Sequence, residues 1–192
     1  MPQIPYPTFQ VRKMRKFLKK CKIYFLWHFL RTSARILVNL QVLLDIMTEI
    51  AILTQGVEAP QFDLPKLTAW VEQVAHEHGK NVGRLTYLFC DDEYILKTNR
   101  EFLGHDYYTD IITFDYSTSR RIAGDMVISL DTVKSNAEQC GAPYEDELCR
   151  VVIHGVLHLC GINDKGPGER EIMEQHENAA LALRPQSLIP NP

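Results

Sequence analysis

The feature that most constrains this chain is a long, largely apolar segment at residues 143–161. It reads "PYEDELCRVVIHGVLHLCG", with Pro143 at its start, three acidic residues in its first turn and Gly161 at its end. Proline and acids in the first turn and glycine just past the end are typical of an α-helix. The valines and leucines at 151, 152, 156, 157 and 159 predict that this helix is largely buried.

The segments around this helix alternate short apolar runs with longer helical patterns. Runs rich in β-forming residues at 50–55, 84–90, 109–117 and 124–131 predict four strands. The helical patterns predict the order β-α-β-α-β-β-α-α-α, with the last helix at about 169–183. We therefore expect an α+β fold, bordering on α/β, with a small mixed β-sheet of about four strands covered by helices. The predicted domain spans residues 47–185, and residues 186–192 form a tail.

Within the long helix, "HGVLHLCGIND" (154–164) indicates a metal site. His154 and His158 are four residues apart, so their side chains leave the same face of the helix. Gly161 lets the chain leave the helix in a left-handed conformation, and Asp164 can then fold back as a third ligand. The spacing equals that of the extended zinc motif of metzincin proteases, with aspartate in the third-ligand place. Three protein ligands leave a fourth position for water, as in catalytic zinc sites.

The alternative is a pair of core histidines beside a turn. Two histidines spaced in this way are common on helices without a metal. On a buried helix, however, each unmet ring nitrogen costs about 1–3 kcal/mol, and one shared metal satisfies both rings. With Gly161 and Asp164 in register, we favour a zincin-like helix with His154, His158 and Asp164 as ligands.

The residue after the first histidine argues against a protease. Zincin proteases have glutamate there as the general base, whereas this chain has Gly155, which cannot transfer a proton. A metal at the site still acidifies its bound water. Such a site suits a substrate with a better leaving group, or one that supplies its own nucleophile, as the 2′-hydroxyl of RNA does.

Charge is distributed very unevenly along the chain. Residues 1–46 hold nine Lys or Arg against one acid, whereas residues 47–192 hold 12 basic and 23 acidic residues, a net charge of −11. Three interpretations of the basic arm stay open: a nucleic-acid-binding or transit-like segment, a signal anchor, or an upstream extension of the reading frame that is not native. We favour the extension, because Met47 begins a clean first strand. The apolar run "IYFLWHFL" is too short to span a bilayer, which weakens the anchor.

Three blocks of the sequence resemble one known family. "HGVLHLCGIND", followed by Met173 and Glu177, resembles the pattern H-G-x-L-H-L-x-G-Y-D-H of the YbeY family of bacterial metal-dependent endoribonucleases. "NREFLGHDYYTDIITF" (99–114) resembles the family stretch ending T-D-V-L-S-F, with Thr109 and Asp110 in register. "GDMVIS" (124–129) is similar to the family's G-D-I-x-I-S. The blocks occur in the family's order and together cover about residues 47–184.

The resemblance implies a cytoplasmic hydrolase that cuts single-stranded RNA. Its expected roles are ribosomal RNA maturation, notably at the 3′ end of the small-subunit RNA, and ribosome quality control. The implied partners are ribosomal RNA and ribosomal subunits, without a membrane, and the implied cofactor is one Zn²⁺ or another divalent metal per chain.

The family's ligands correspond to His154, His158 and the third-ligand position, where this chain has Asp164 instead of histidine. The family arginine falls at Leu103, and Arg100, one helical turn earlier, is a candidate replacement. Asp110 either orients a ligand or a water molecule, or holds a turn. Two other functions remain open: a ribosome assembly factor with a structural metal and, weakened by Gly155, a metalloprotease.

Overall fold

The computed structural model describes residues 49–189, and the predictions for residues 1–46 lie outside this range. Four strands and five helices follow one another in the predicted order. They are β1 (Glu49–Gln55), α1 (Leu64–Glu77), β2 (Asn81–Cys90), α2 (Asp92–Phe102), β3 (Ile111–Asp115), β4 (Arg121–Ser129), α3 (Leu130–Cys140), α4 (Tyr144–Cys160) and α5 (Glu169–Ala182).

The four strands form one mixed sheet in the order β1-β2-β4-β3. β1 pairs in parallel with β2, and β2 pairs in parallel with β4. β3 pairs antiparallel with β4, with Ile111 opposite Ile128, and forms one edge of the sheet. This architecture confirms the α+β class and the mixed sheet of four strands.

Helices cover both faces of the sheet. Alternate residues of β4 point to opposite faces, so Met126 and Ile128 belong to the main core while Val127 belongs to a smaller cluster with Ile95 of α2. The main core contains the buried faces of α1 and α4, including Trp70. α2 therefore covers one face, and α1 and α4 cover the other.

Local capping sets most helix starts. Asp63 accepts a hydrogen bond from the backbone N–H of Lys66 at 3.2 Å, and Asp91 accepts one from Tyr94 at 2.8 Å. The predicted end of β4 at residue 131 was wrong. Ser129 caps α3 by accepting from the N–H of Thr132 at 3.2 Å, so the helix begins at Leu130.

α4 is the central helix of the main core. It packs against β3 and β4 and contacts α1, α3 and α5. A Cβ atom added to Gly155 would lie 2.8 Å from Cδ1 of Ile111 and 2.8 Å from Sδ of Met126. The absence of a side chain at this position therefore lets α4 approach the sheet closely.

The segment after α5 returns to the domain. Leu188, beyond the predicted boundary at residue 185, is buried in the main core, and its carbonyl accepts a hydrogen bond from the N–H of Asp63 at 2.9 Å. None of the helices in the described part of the chain combines the length and apolarity needed to cross a membrane.

Candidate metal centre

Two histidines on α4 form the base of the site. Their rings lie edge to face with centroids 4.4 Å apart, and the side chains of His154 and His158 are 14% and 25% exposed. Most residues of the helix between Glu147 and Leu159 are buried, so packing holds the helix axis and this face in place. The spacing of four residues thus places two imidazoles side by side at the edge of the core, as predicted.

The chain then turns back to bring a carboxylate to the same place. Gly161 has φ 99° and ψ 14°, and the N–H of Ile162 bonds to the carbonyl of Leu157 at 3.1 Å. Oδ2 of Asp164 lies 3.6 Å from Nε2 of His154 and 3.8 Å from Nε2 of His158. Among the described residues, these three form the group with metal-ligand geometry, their ligand atoms all within 4.8 Å of one another.

These distances fit a metal ion of the size of zinc. Ligand atoms about 2.0–2.2 Å from a tetrahedral zinc lie about 3.3–3.6 Å apart. The two separations between a histidine Nε2 and Oδ2 of Asp164 exceed this range by at most about 0.2 Å, and all three ligand atoms lie within 4.8 Å of one another. A set of two imidazoles and one carboxylate is also a common zinc donor set.

Hydrogen bonds on the outer side of both rings support this arrangement. Nδ1 of His158 lies 2.8 Å from the carbonyl oxygen of Ile162, and Nδ1 of His154 lies 2.7 Å from Oε1 of Glu177 on α5. Because both partners are acceptors, each Nδ1 carries the proton, and in the neutral ring Nε2 keeps its lone pair. Both Nε2 atoms lie within 3.8 Å of Oδ2 of Asp164, where they can bind a cation.

The neighbours of Glu177 favour the ionised form of its carboxyl group. Burial alone would raise the pKa of this carboxyl group, but hydrogen bonds from His154 and Arg150 outweigh burial and hold the pKa below its usual value. Nη1 of Arg150 lies 3.0 Å from Oε2 of Glu177. Arg150 stands one turn before His154 on α4, so both partners of Glu177 belong to one helix.

The environment of His158 favours its neutral form. Burial is the main cause that lowers the pKa of His158, and the neighbouring His154 lowers it further. A neutral imidazole is the form that binds a metal. The site is therefore prepared for a cation at neutral pH.

Position 155 faces the sheet and not the site. A zincin-type glutamate there would collide with Ile111 and Met126, because even its Cβ would lie 2.8 Å from atoms of both side chains. The missing general base, inferred from the sequence, thus has a packing cause.

Asp110 and Arg100 have partners outside the three-residue ligand group. Oδ1 of Asp110 accepts a hydrogen bond from the N–H of Ile111 at 2.8 Å, and its backbone carbonyl accepts one from Ser129 at 2.9 Å. These contacts anchor the start of β3 beside the end of β4. Arg100 pairs with Asp106 at 2.5 Å on the surface, with side chains 56% and 72% exposed. Leu103 follows the end of α2 and is 48% exposed.

Sequence reasoning missed the roles of Glu177 and Arg150. Glu177 entered only as part of the family pattern. Arg150 entered only as one of six basic residues that could gather near the site to bind RNA, with Arg84, Arg100, Arg120, Arg121 and Lys134. The sequence carried only a weak signal for Glu177. It lies one helical turn after the apolar Met173, on a helix that is otherwise rich in exposed acids. Met173 itself is fully buried in the main core and is not part of the ligand group.

Residues 53–183 match the family described as Endoribonuclease YbeY. The Endoribonuclease YbeY of Bacteroides thetaiotaomicron is 61% identical over 131 residues, which are 68% of this chain and 96% of the relative. That of Phocaeicola vulgatus is 62% identical over 130 residues, 68% of this chain and 94% of the relative. That of Porphyromonas gingivalis is 49% identical over 142 residues, 74% of this chain and 94% of the relative.

A solved structure shows the same architecture. The solution structure of TM1509 from Thermotoga maritima superposes with a TM-score of 0.50 at 26% sequence identity, covering 70% of this chain and 87% of that chain. Fold and site together define an α+β protein with a zincin-like helix and a candidate metal centre. More specifically, the chain belongs to the YbeY endoribonuclease family, as the sequence blocks indicated.

Proposed function

We propose that this protein is a metal-dependent endoribonuclease that cuts single-stranded RNA. Its relatives are named as endoribonucleases, and the match covers almost their whole length. The observation that carries the proposal is the convergence of His154, His158 and Asp164 on one point. By the family resemblance, its task is ribosomal RNA maturation at the 3′ end of the small-subunit RNA, together with ribosome quality control, in the cytoplasm.

We assign the three converging residues as ligands of one Zn²⁺ per chain. When bound, zinc would act as a Lewis acid and lower the pKa of a coordinated water. Asp164 replaces the family's third histidine and adds a negative charge to the site. This negative charge strengthens the binding of a divalent cation. It also makes the bound metal a weaker Lewis acid, so that a coordinated water would be less acidic.

The residues of the chain direct the chemistry towards RNA. Gly155 removes the general base that peptide hydrolysis requires, because the helix must pack against Ile111 and Met126 at that position. A phosphodiester whose own 2′-hydroxyl acts as the nucleophile needs less help from the protein. The side chain of His158 is 25% exposed, so the ligand group is partly accessible from solvent.

Binding of RNA by this acidic domain needs a local group of basic residues. Two of the basic residues considered for this role have ion-pair partners: Arg100 with Asp106, and Arg150 with Glu177. The other four are Arg84, Arg120, Arg121 and Lys134. We infer that these residues, or the ribosomal subunit itself, position the substrate, with ribosomal RNA and ribosomal subunits as partners.

The alternatives are weaker. A purely structural metal in an assembly factor would not need ligands that are partly exposed, as His158 is. The names of the relatives also favour the nuclease. A metalloprotease lacks its base at Gly155.

The test combines metal analysis with an RNA cleavage assay. Purified protein should contain about one equivalent of zinc and cut single-stranded RNA faster than duplex RNA, and a chelator should abolish cleavage. His154→Ala should lose both metal and cleavage, whereas Glu174→Gln, at an exposed position of α5, should keep both. Cleavage that persists in the metal-free protein would contradict the proposal.

A further inference from the structure

The two histidines of the site are held in different ways. The outer nitrogen of His158 bonds to the carbonyl of Ile162, only four residues away in the same turn. The outer nitrogen of His154 bonds to a side chain, Glu177, which lies 23 residues away on another helix. The orientation of His154 therefore depends on one substitutable side chain, and that of His158 does not.

Glu177 is itself held in a fixed position. It is 8% exposed, and its two carboxylate oxygens have separate partners: Oε1 meets His154 at 2.7 Å, and Oε2 meets Arg150 at 3.0 Å. Nη1 of Arg150 also lies 3.1 Å from Oδ1 of Asn178. Because Arg150 and His154 are one turn apart on α4, Glu177 connects α5 to α4 through two charge-assisted contacts.

We propose that Glu177, clamped by Arg150, is the positioning residue for His154. It keeps the proton of the imidazole on Nδ1 and directs Nε2 to the point shared with His158 and Asp164. Carboxylate partners of metal-binding histidines fix the tautomer and the ring orientation in this way. The inference rests on the proposed function to the extent that it takes His154 as a metal ligand.

This assignment gives Arg150 a structural task. Its guanidinium contacts Glu177 and Asn178 and lies 3.8 Å from a carboxylate oxygen of Glu147. Both N–H donors of Nη1 are taken by Glu177 and Asn178, so this edge of the guanidinium is not available to a phosphate. Arg150 therefore acts on the site through Glu177.

The first measurement is zinc affinity by competition with a chromophoric chelator on the full chain. Glu177→Ala should weaken zinc binding by about 10–100-fold, the usual effect of losing an outer-shell partner. Glu177→Gln, which retains an acceptor but not the charge, should lose less. Arg150→Ala should weaken binding, and Arg150→Lys should recover part of the loss. Glu174→Gln, an exposed glutamate of the same helix, is the matched control and should bind zinc like the parent protein.

The second measurement reads the tautomer directly, without metal or RNA. Nitrogen-15 NMR of the histidine rings in chelator-treated protein should show His154 protonated on Nδ1 in the parent. Glu177→Ala should shift His154 towards a mixture of tautomers and leave His158 unchanged, because its partner is a backbone carbonyl. A general loss of structure would move both rings, so this contrast separates positioning from folding. If Glu177→Ala does not fold, the comparison of the His154 and His158 tautomers in Glu177→Gln tests the proposal instead.

The proposal is overturned if Glu177→Ala and Glu177→Gln bind zinc like the parent protein and leave the tautomer of His154 unchanged. Neither measurement needs RNA. If the parent protein binds zinc but cuts no RNA, the proposed function fails while the positioning role of Glu177 stands. If the parent protein binds no zinc, the proposed metal site fails, and the tautomer of His154 still tests the effect of Glu177.

Discussion

At the scale of single residues, the site depends on a few atoms with clear partners. His154 and His158 are fixed by outer hydrogen bonds, and Asp164 reaches them after the turn at Gly161. Asp164 is the residue in which the chain departs from the family pattern. Substitution of Asp164 is therefore the most direct test of its assignment as the third metal ligand.

Asp164→Ala should weaken zinc binding by more than the about 10–100-fold that outer-shell changes cost, and should abolish RNA cleavage. Asp164→His should keep both and move the activity–pH profile to lower pH. Replacing a carboxylate by a neutral imidazole raises the charge of the site by one, which makes the metal a stronger Lewis acid. Metal analysis and cleavage rates across pH check this.

α4 should survive both exchanges, because Asp164 lies beyond the end of the helix at Cys160. Unfolding in chelator, where the metal no longer contributes, is the control and should be close to that of the parent protein. Asp164→Ala protein that retains its metal and cuts RNA at the parental rate would show that Asp164 is not a ligand.

In the metal-free domain, His158 and Glu177 should lose their stabilising contributions in two stages as the pH falls, whereas Glu147, whose pKa is raised by burial, contributes in the opposite direction. Burial lowers the pKa of His158 below 6.5, so the unfolded state binds more protons below that pH. The stability present above about pH 6.5 is therefore lost as the pH falls through the lowered pKa. Glu177, whose pKa is below 4.5 in the folded protein, adds a second loss below that pH. Urea unfolding in chelator from about pH 8 down to about pH 2.5 measures both stages.

Two substitutions separate the stages. His158→Gln should reduce the first stage without removing it, because the pKa of His78 is also lowered, by burial and by His176. Glu177→Gln should remove the second stage. If the parent protein loses no more stability than His158→Gln on acidification from about pH 8 to about pH 5, the sign of the His158 shift is wrong. This difference cancels the opposite contribution of Glu147, whose pKa is raised by burial.

At the scale of elements, the contact between α4 and the sheet places the site. Gly155 and Gly124 face this contact, and a Cβ at Gly124 would lie 2.9 Å from Cδ2 of Leu159 on α4. Missing side chains on both elements allow the helix to lie close to β3 and β4. The side chains of His154 and His158 then lie at the edge of the main core, partly exposed to solvent.

Gly155→Ala should destabilise the domain by about 1–2 kcal/mol. Overpacking typically costs about 1–3 kcal/mol, and the better helix propensity of alanine returns up to about 1 kcal/mol. Urea unfolding measures the change.

The control for this prediction is the double variant Gly155→Ala/Ile111→Val. Removing Cδ1 of Ile111 opens space for the new methyl group, so the two effects should be less than additive. A Gly155→Ala variant as stable as the parent protein would contradict the prediction. It would show that Ile111 and Met126 can move aside without loss of stability.

At the scale of the whole molecule, we propose that the part of the chain from Met47 onward is sufficient for folding and metal binding. The family match lies at residues 53–183, and the first strand begins at Glu49. A chain that starts at Met47 should be soluble, bind about one zinc and melt within a few degrees of the full chain. Circular dichroism melts and metal analysis of both chains check this, and insoluble truncated protein would contradict it.

A truncation at Pro185 is the matched comparison at the other end. It removes Leu188, which is buried and accepts a backbone hydrogen bond from Asp63. It should therefore lower the melting temperature more than removal of residues 1–46 does.

The sequence by itself determined what depends on local periodicity and capping. The order of the nine elements, the cap at Asp63 and the side-by-side histidines all follow from spacings of a few residues along one helix or strand. The return of Asp164 was also predictable, because Gly161 sets the turn within the same short segment. The α+β class followed from the order of the elements.

Only the tertiary structure decided what depends on contacts between distant segments. The strand order β1-β2-β4-β3 comes from pairing between strands that are distant in sequence. The early start of β4 at Arg121 comes from its pairing with Asn81 of β2. The role of Glu177 comes from the packing of α5 against α4, across 23 residues of chain. The sequence pattern carries only a weak signal for such a contact. A glutamate on an amphipathic helix has the same local pattern whether its side chain lies in water or against a histidine.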